Sequence, residues 1–70
     1  MSGNVWTETN MGFKYMVVGA SPPITWHADR ADQYGKSWLV YKEGHSDKKK
    51  FYGRFPAAVG DINRYIASVQ

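Results

Sequence analysis

Lys48, Lys49 and Lys50 run directly into Phe51, Tyr52, Gly53, Arg54 and Phe55. Cations interleaved with flat rings suit a polyanion that carries bases. Lysine and arginine neutralise phosphates and release condensed counterions. A tyrosine can stack on an unpaired base, for roughly 1–3 kcal/mol per base. An arginine can bond guanine bidentately in a major groove. The other chemically capable groups are less well arranged. His27 and His45 are the two histidines and there is no cysteine, so a zinc site would need carboxylates to complete it. His45, Ser46 and Asp47 are the residue types of a catalytic triad, but they are neighbours in one turn, and a triad needs groups converging from separate elements. No glycine-rich phosphate loop follows a strand pattern. The six carboxylates are scattered, with no pair poised for acid–base work. The residues therefore point to binding rather than catalysis, with no cofactor, no metal and no catalytic group.

The bulk properties set the frame for that reading. Seventy residues make one domain. A chain of this size buries only about 60% of the surface that its unfolded form exposes. Three Trp, five Tyr and three Phe let few positions build a core. The net charge of +3 is modest and bears on partners and solubility rather than on fold. No apolar run approaches the roughly 18 residues of a membrane span. The opening MSGNVWTETN lacks the basic and apolar regions of a signal peptide. The expectation is a cytoplasmic protein without a membrane partner.

Four strands and a helix must position the basic and aromatic side chains. Residues 1–12 are polar and aperiodic, and are expected to be flexible, with Trp6 able to pin them to the body. Residues 13–70 form the single α+β domain. In residues 13–18, Phe13, Tyr15 and Val17 alternate with Lys14 and Met16, a strand period. Pro22 and Pro23 break it at a turn. Residues 24–30 form a second strand, with Ile24, Trp26 and Ala28 on one face and Thr25, His27 and Asp29 on the other. Residues 36–43 form the third strand and residues 48–55 the fourth, joined by the turn Gly44 to Asp47. After Pro56, the steps from Val59 to Ile62, Ile66 and Val69 are those of an amphipathic helix, with Pro56 or Asp61 at its start. The predicted fold is a four-stranded antiparallel β-meander with one C-terminal α-helix packed on one face (ββββα).

With Trp38, Val40, Phe51 and Phe55 against the helix, a four-residue turn puts Val40 opposite Phe51. It also puts Trp38 opposite Gly53, where the indole would lie over a residue with no side chain. Lys48 then faces Glu43, and Lys42 faces Lys49, a pair of like charges that repel. The open face carries Leu39, Tyr41, Lys48, Lys50, Tyr52 and Arg54, with Lys14 and Met16 from the first strand. The candidate nucleic-acid-binding residues are Lys14, Tyr41, Lys42, Lys48, Lys49, Lys50, Tyr52 and Arg54. The same face also suits a solvated surface or a protein partner, as in a small inhibitor or adaptor of a host protein. A free sheet edge at residues 13–18 would accept a partner strand or a second copy, giving a homodimer.

From Gly35 onward the chain resembles the three-stranded DNA-binding domains of the plant AP2 class and the arm-binding domains of phage integrases. GKSWLVYKEG, beginning at Gly35, is similar to their core strand, and Tyr52-Gly53-Arg54-Phe55 to their Leu-Gly-x-Phe. Tyr65 stands where the AP2 helix places an aromatic. The resemblance spans residues 35–69, about half the chain. It implies a DNA-binding protein, phage-encoded in the integrase-like case, whose sheet rather than helix enters the major groove. It gives the contacts to Tyr41, Lys50, Tyr52 and Arg54.

Overall fold

The computed structural model describes residues 5–17 and 19–69. They form β1 (Thr7–Glu8), β2 (Gly12–Val17), β3 (Ile24–Arg30), β4 (Ser37–Lys42), β5 (Lys49–Tyr52) and α1 (Phe55–Val69). The strands make one antiparallel sheet in the order β1-β2-β3-β4-β5. The architecture is α+β, a meander with a C-terminal helix, but it has five strands where four were predicted.

The additional strand lies in the segment expected to be flexible. Thr7 pairs with Lys14 and Glu8 with Phe13. This β1 therefore occupies part of the edge that the sequence left free at residues 13–18. Two features explain why so polar a segment is ordered. The Trp6 ring packs 5.5 Å from both Tyr15 and Phe55, and its Nε1 donates to Asn63 Oδ1 at 2.9 Å. Thr9 closes the hairpin, its Oγ1 accepting from Met11 N at 3.2 Å and Gly12 N at 3.1 Å. A hydroxyl bonding backbone two and three residues ahead is the physical basis of a threonine turn. Residues 1–4 of the expected flexible segment, and Val18 at the expected end of the first strand, lie outside the described residues.

Strand alternation sorts the core as expected. Trp26, Ala28, Trp38 and Val40 are buried beneath α1, with Phe13, Tyr15, Val17, Ile24 and Phe51 packed around them. The helix buries Phe55, Ala58, Ile62 and Ile66, spaced three and four residues apart. Burying each large apolar side chain stabilises the fold by about 1.5–3 kcal/mol. The helix starts at Phe55, so Asp61 is an interior residue and not a cap. The Arg54 carbonyl accepts from Ala57 N at 2.9 Å and Ala58 N at 3.0 Å, and Pro56 fills a first-turn position that has no N–H to satisfy.

The β4–β5 register differs from the predicted one by two residues. Trp38 pairs with Phe51, Val40 with Lys49, Leu39 with Lys50 and Ser37 with Tyr52. A two-residue shift leaves every side chain on its face, because the strand period is two. The connection is longer than four residues: β4 ends at Lys42 and β5 starts at Lys49. Glu43 N stays bonded to Thr25 O at 2.8 Å, while His45 N bonds back to Lys42 O at 3.0 Å. At the other end, Gly53 N donates to Lys36 O at 2.7 Å and Trp38 Nε1 donates to the Gly53 carbonyl at 3.0 Å. These bonds set the register. They also remove the expected Lys42–Lys49 repulsion, since Lys42 pairs with Trp26 and Lys49 with Val40.

The glycine beneath Trp38 is Gly12, not Gly53. A Cβ on Gly12 would collide with the Ala28 carbonyl oxygen and stand 3.1 Å from Trp38 Cζ3, whereas one on Gly53 meets nothing within 4 Å. Gly12→Ala is therefore expected to destabilise the fold by about 1–3 kcal/mol, the usual cost of overpacking. Gly60→Ala, in the exposed middle of α1 with open space around it, is expected to stabilise by about 1 kcal/mol. Urea unfolding of the two variants checks both signs. An unchanged midpoint for Gly12→Ala would contradict the close approach of β2 to Trp38.

Candidate nucleic-acid interface

The sheet face away from α1 is built by the residues that alternate with the core. Across β2, β3 and β4, Lys14 pairs with His27 and His27 with Tyr41. Asp29 pairs with Leu39, Leu39 with Lys50, and Ser37 with Tyr52. Lys48, just before β5, reaches over this face, with its Nζ 4.8 Å from the Tyr41 ring centroid. Lys50 Nζ lies 5.3 Å from the Tyr52 ring. The structure thus brings five of the eight candidates to one face: Lys14, Tyr41, Lys48, Lys50 and Tyr52.

The other three point elsewhere. Lys49 lies on the helix side, its Nζ 5.9 Å from the rings of both Phe51 and Tyr65. Lys42 also lies on that side and lines a cleft of about 240 Å³ with Trp26, His45, Asp47, Tyr65 and Val69. Arg54 was placed outward by extending the strand alternation through residue 55. However, β5 ends at Tyr52, and Gly53 turns the chain with φ 103°. Arg54 instead lines a groove at the end of the sheet, with Phe13, Arg30, Tyr34, Trp38 and Phe55 among its walls.

The middle of the open face is a closed polar network. Tyr41 donates its hydroxyl to Asp29 Oδ2 at 2.7 Å. The His27 ring stacks on the Tyr41 ring at 5.1 Å and 21°. His27 Nε2 is 2.8 Å from Glu43 Oε1, a hydrogen bond that becomes an ion pair when the imidazole is protonated. Tyr41 is thereby held between His27 and Lys48. Its hydroxyl is pushed up to about 12, first by the hydrogen bond to Asp29, then by burial, then by the charges of Asp29 and Glu43. It is a neutral, engaged support and not a free stacking platform. The sequence placed His27, Asp29 and Tyr41 on solvent-side positions of their strands but did not show that they bond across them. Cross-strand pairing needs the register, and only the folded sheet supplies it.

The cations are arranged differently. Among the described residues, the ion pairs are His27–Glu43 and Arg64–Asp61. Lys14, Lys48 and Lys50 belong to neither, and nor do Lys42, Lys49 and Arg54. Tyr52 is 73% exposed, with Lys50 beside it. Tyr52 is therefore the ring on this face that is open to a ligand. Among the described residues, no three His, Asp or Glu side chains gather as a metal site, and no helix is long and apolar enough to cross a membrane. No protein family, curated protein or solved structure matches this chain.

The Tyr41–Asp29 bond gives stability a defined alkaline dependence. The folded-state value lies above the ordinary 10.0. The group's contribution is thus complete below pH 10.0 and is lost as pH rises toward about 12. Tyr41→Phe should lower stability near neutrality by about 1 kcal/mol, the usual worth of such a bond. The gap between the native chain and Tyr41→Phe should then hold steady up to about pH 10 and shrink as pH rises from there toward about 12. Urea midpoints measured across that range check this, and a constant gap would contradict it.

Proposed function

We propose that the chain is a small, non-enzymatic nucleic-acid-binding domain. Its contact surface is the β5 side of the open sheet face. One observation carries the reading: the cations of this face are unneutralised, while its carboxylates, Asp29 and Glu43, are engaged by Tyr41 and His27. The face therefore presents cations outside any ion pair beside an exposed tyrosine, while Asp29 and Glu43 keep their charge but are hydrogen-bonded to neighbours on the same face. Lys48 and Lys50 would hold phosphates, Lys14 on β2 would add a contact from the far side of the face, and Tyr52 would stack on a base. Tyr41 would shape the platform from below, and Arg54 would act from the end of the sheet. The resemblance of residues 35–69 to sheet-reading DNA-binding domains agrees with the sheet, rather than α1, as the contact element.

A protein partner is the second reading, and the outer edge of β5 favours it. Among the described residues that edge carries no neighbouring strand, and it would accept one from a partner. Successive lysines on an edge strand oppose pairing with a second copy of the same edge. The partner's strand would therefore be acidic.

Lys48→Gln with Lys50→Gln should lower affinity for a labelled oligonucleotide roughly tenfold. It should also reduce the slope of log affinity against log salt by about 1.4–1.8, two phosphate contacts' worth. Lys42→Gln with Lys49→Gln, on the helix side, should do markedly less. Fluorescence anisotropy across a salt series measures both. Absence of binding at low salt to single-stranded and duplex DNA and RNA alike would end the nucleic-acid reading.

A further inference from the structure

At the end of the sheet where β3 finishes and β4 begins, an open groove of about 540 Å³ is lined by Phe13, Arg30, Tyr34, Trp38, Arg54 and Phe55, with Gln33, Gly35 and Pro56 at its rim. The volume falls within the roughly 300–1,000 Å³ of small-molecule sites. Two guanidinium groups line it and no carboxylate does. The nearby Asp32 is occupied, its Oδ1 accepting from Lys36 N at 2.9 Å. The floor is rigid and aromatic. Phe13 stacks on Phe55 at 3.9 Å and 12°, and Trp38 meets Phe55 edge-on at 5.2 Å.

The walls are also fixed in advance. Arg30 Nη2 donates to the Asn10 carbonyl at 2.8 Å, which leaves its other donors for a ligand. The loop between β3 and β4 is tied by Ala31 N to Ser37 O at 2.9 Å, besides the Asp32 bond. It holds Tyr34 outward at 67% exposure. Tyr34 has no ring or hydrogen-bond partner among the described residues. A large ring presented by a braced loop, beside two arginines and no acid, is a site for a planar aromatic group that carries negative charge.

We propose that this groove binds one unstacked nucleotide of a single strand, with the base against Tyr34 and the phosphate at Arg30 and Arg54. Guanidinium is suited to both parts, bonding phosphate bidentately and stacking on flat rings. A base paired and stacked inside a duplex cannot enter the groove, so the site selects single strands. The inference rests on the nucleic-acid reading of the open face and refines it. Arg54 is two residues beyond Tyr52, across the turn at Gly53, so the same segment of chain supplies a side chain to the open face and one to the groove.

The test titrates the native chain with adenosine monophosphate, inorganic phosphate, a short 5′-phosphorylated single strand and the matching duplex. Trp fluorescence and anisotropy report binding. The same titrations follow for Tyr34→Ala and Arg54→Gln, both at exposed positions, with circular dichroism confirming that each is folded. The single strand should bind more tightly than the duplex, and adenosine monophosphate more tightly than phosphate. Each variant should lower single-strand affinity about tenfold or more, and Tyr34→Ala, which removes no charge, should change duplex affinity by no more than about twofold. Native-like single-strand binding by Tyr34→Ala would overturn the groove proposal, while the Lys48/Lys50 result would still decide the open-face reading. Equal binding of phosphate and adenosine monophosphate would overturn the base subsite. Binding of the mononucleotide without binding of any strand would uphold the groove's chemistry and overturn its connection to the open face. No binding of any nucleotide form would overturn both.

Discussion

The Phe55 ring is the contact on which the rest of this molecule depends. It stacks on Phe13, meets Trp38 edge-on and packs against Trp6. Those three rings come from β2, β4 and the segment leading into β1, so one side chain at the start of α1 joins four parts of the chain. In so small a domain, aromatic area must supply much of the core, and edge and stacked geometries add about 0.5–1.5 kcal/mol per pair beyond burial. Docking Phe55 dictates where the helix begins. It thereby ends β5 at Tyr52 and turns the chain at Gly53.

Several functional features follow from that constraint. The turn carries Arg54 away from the open face and into the groove whose floor is made by Phe55 and its ring partners. Trp38 reinforces the same corner by donating to the Gly53 carbonyl. It can approach β2 closely because Gly12 has no side chain to obstruct it. The basic octapeptide that stands out in the sequence is thus divided by the fold. Lys48, Lys50 and Tyr52 belong to the open face, Lys49 to the helix side, and Arg54 to the sheet end. Phe51 and Phe55 belong to the core.

The open face separates a hydrogen-bonded network from cations that lie outside any ion pair. Tyr41, His27, Asp29 and Glu43 satisfy one another through two short hydrogen bonds and a ring stack. Such a network holds side chains in fixed rotamers, at the expense of their availability to a ligand. The lysines take no part in these hydrogen bonds; Lys48 and Lys50 lie against the Tyr41 and Tyr52 rings instead. Positive charge therefore concentrates toward β5, although the face as a whole carries both signs.

Local pattern alone determined the α+β class, the approximate position of four of the five strands and the helix, and which side of each of those strands is buried. Period-two and period-3.6 alternation depend only on neighbouring residues, so Phe13, Trp26, Trp38 and Ile62 were legible as core from sequence. Tertiary structure decided the rest. Thr7–Glu8 becomes a strand because Trp6 finds Tyr15 across the hairpin and Phe55 and Asn63 far along the chain. The β4–β5 register was off by two because either register leaves the same faces buried, and hydrogen bonds to Thr25, Lys36 and Gly53 choose between them. Tyr41 read as a free stacking ring because its partners, Asp29 and His27, meet it only across strands. Arg54 read as an outward strand residue because nothing local reveals that β5 ends at Tyr52 and the helix already begins at Phe55. Alternation carries the information for which face a side chain takes, but contacts between distant residues determine what it meets there.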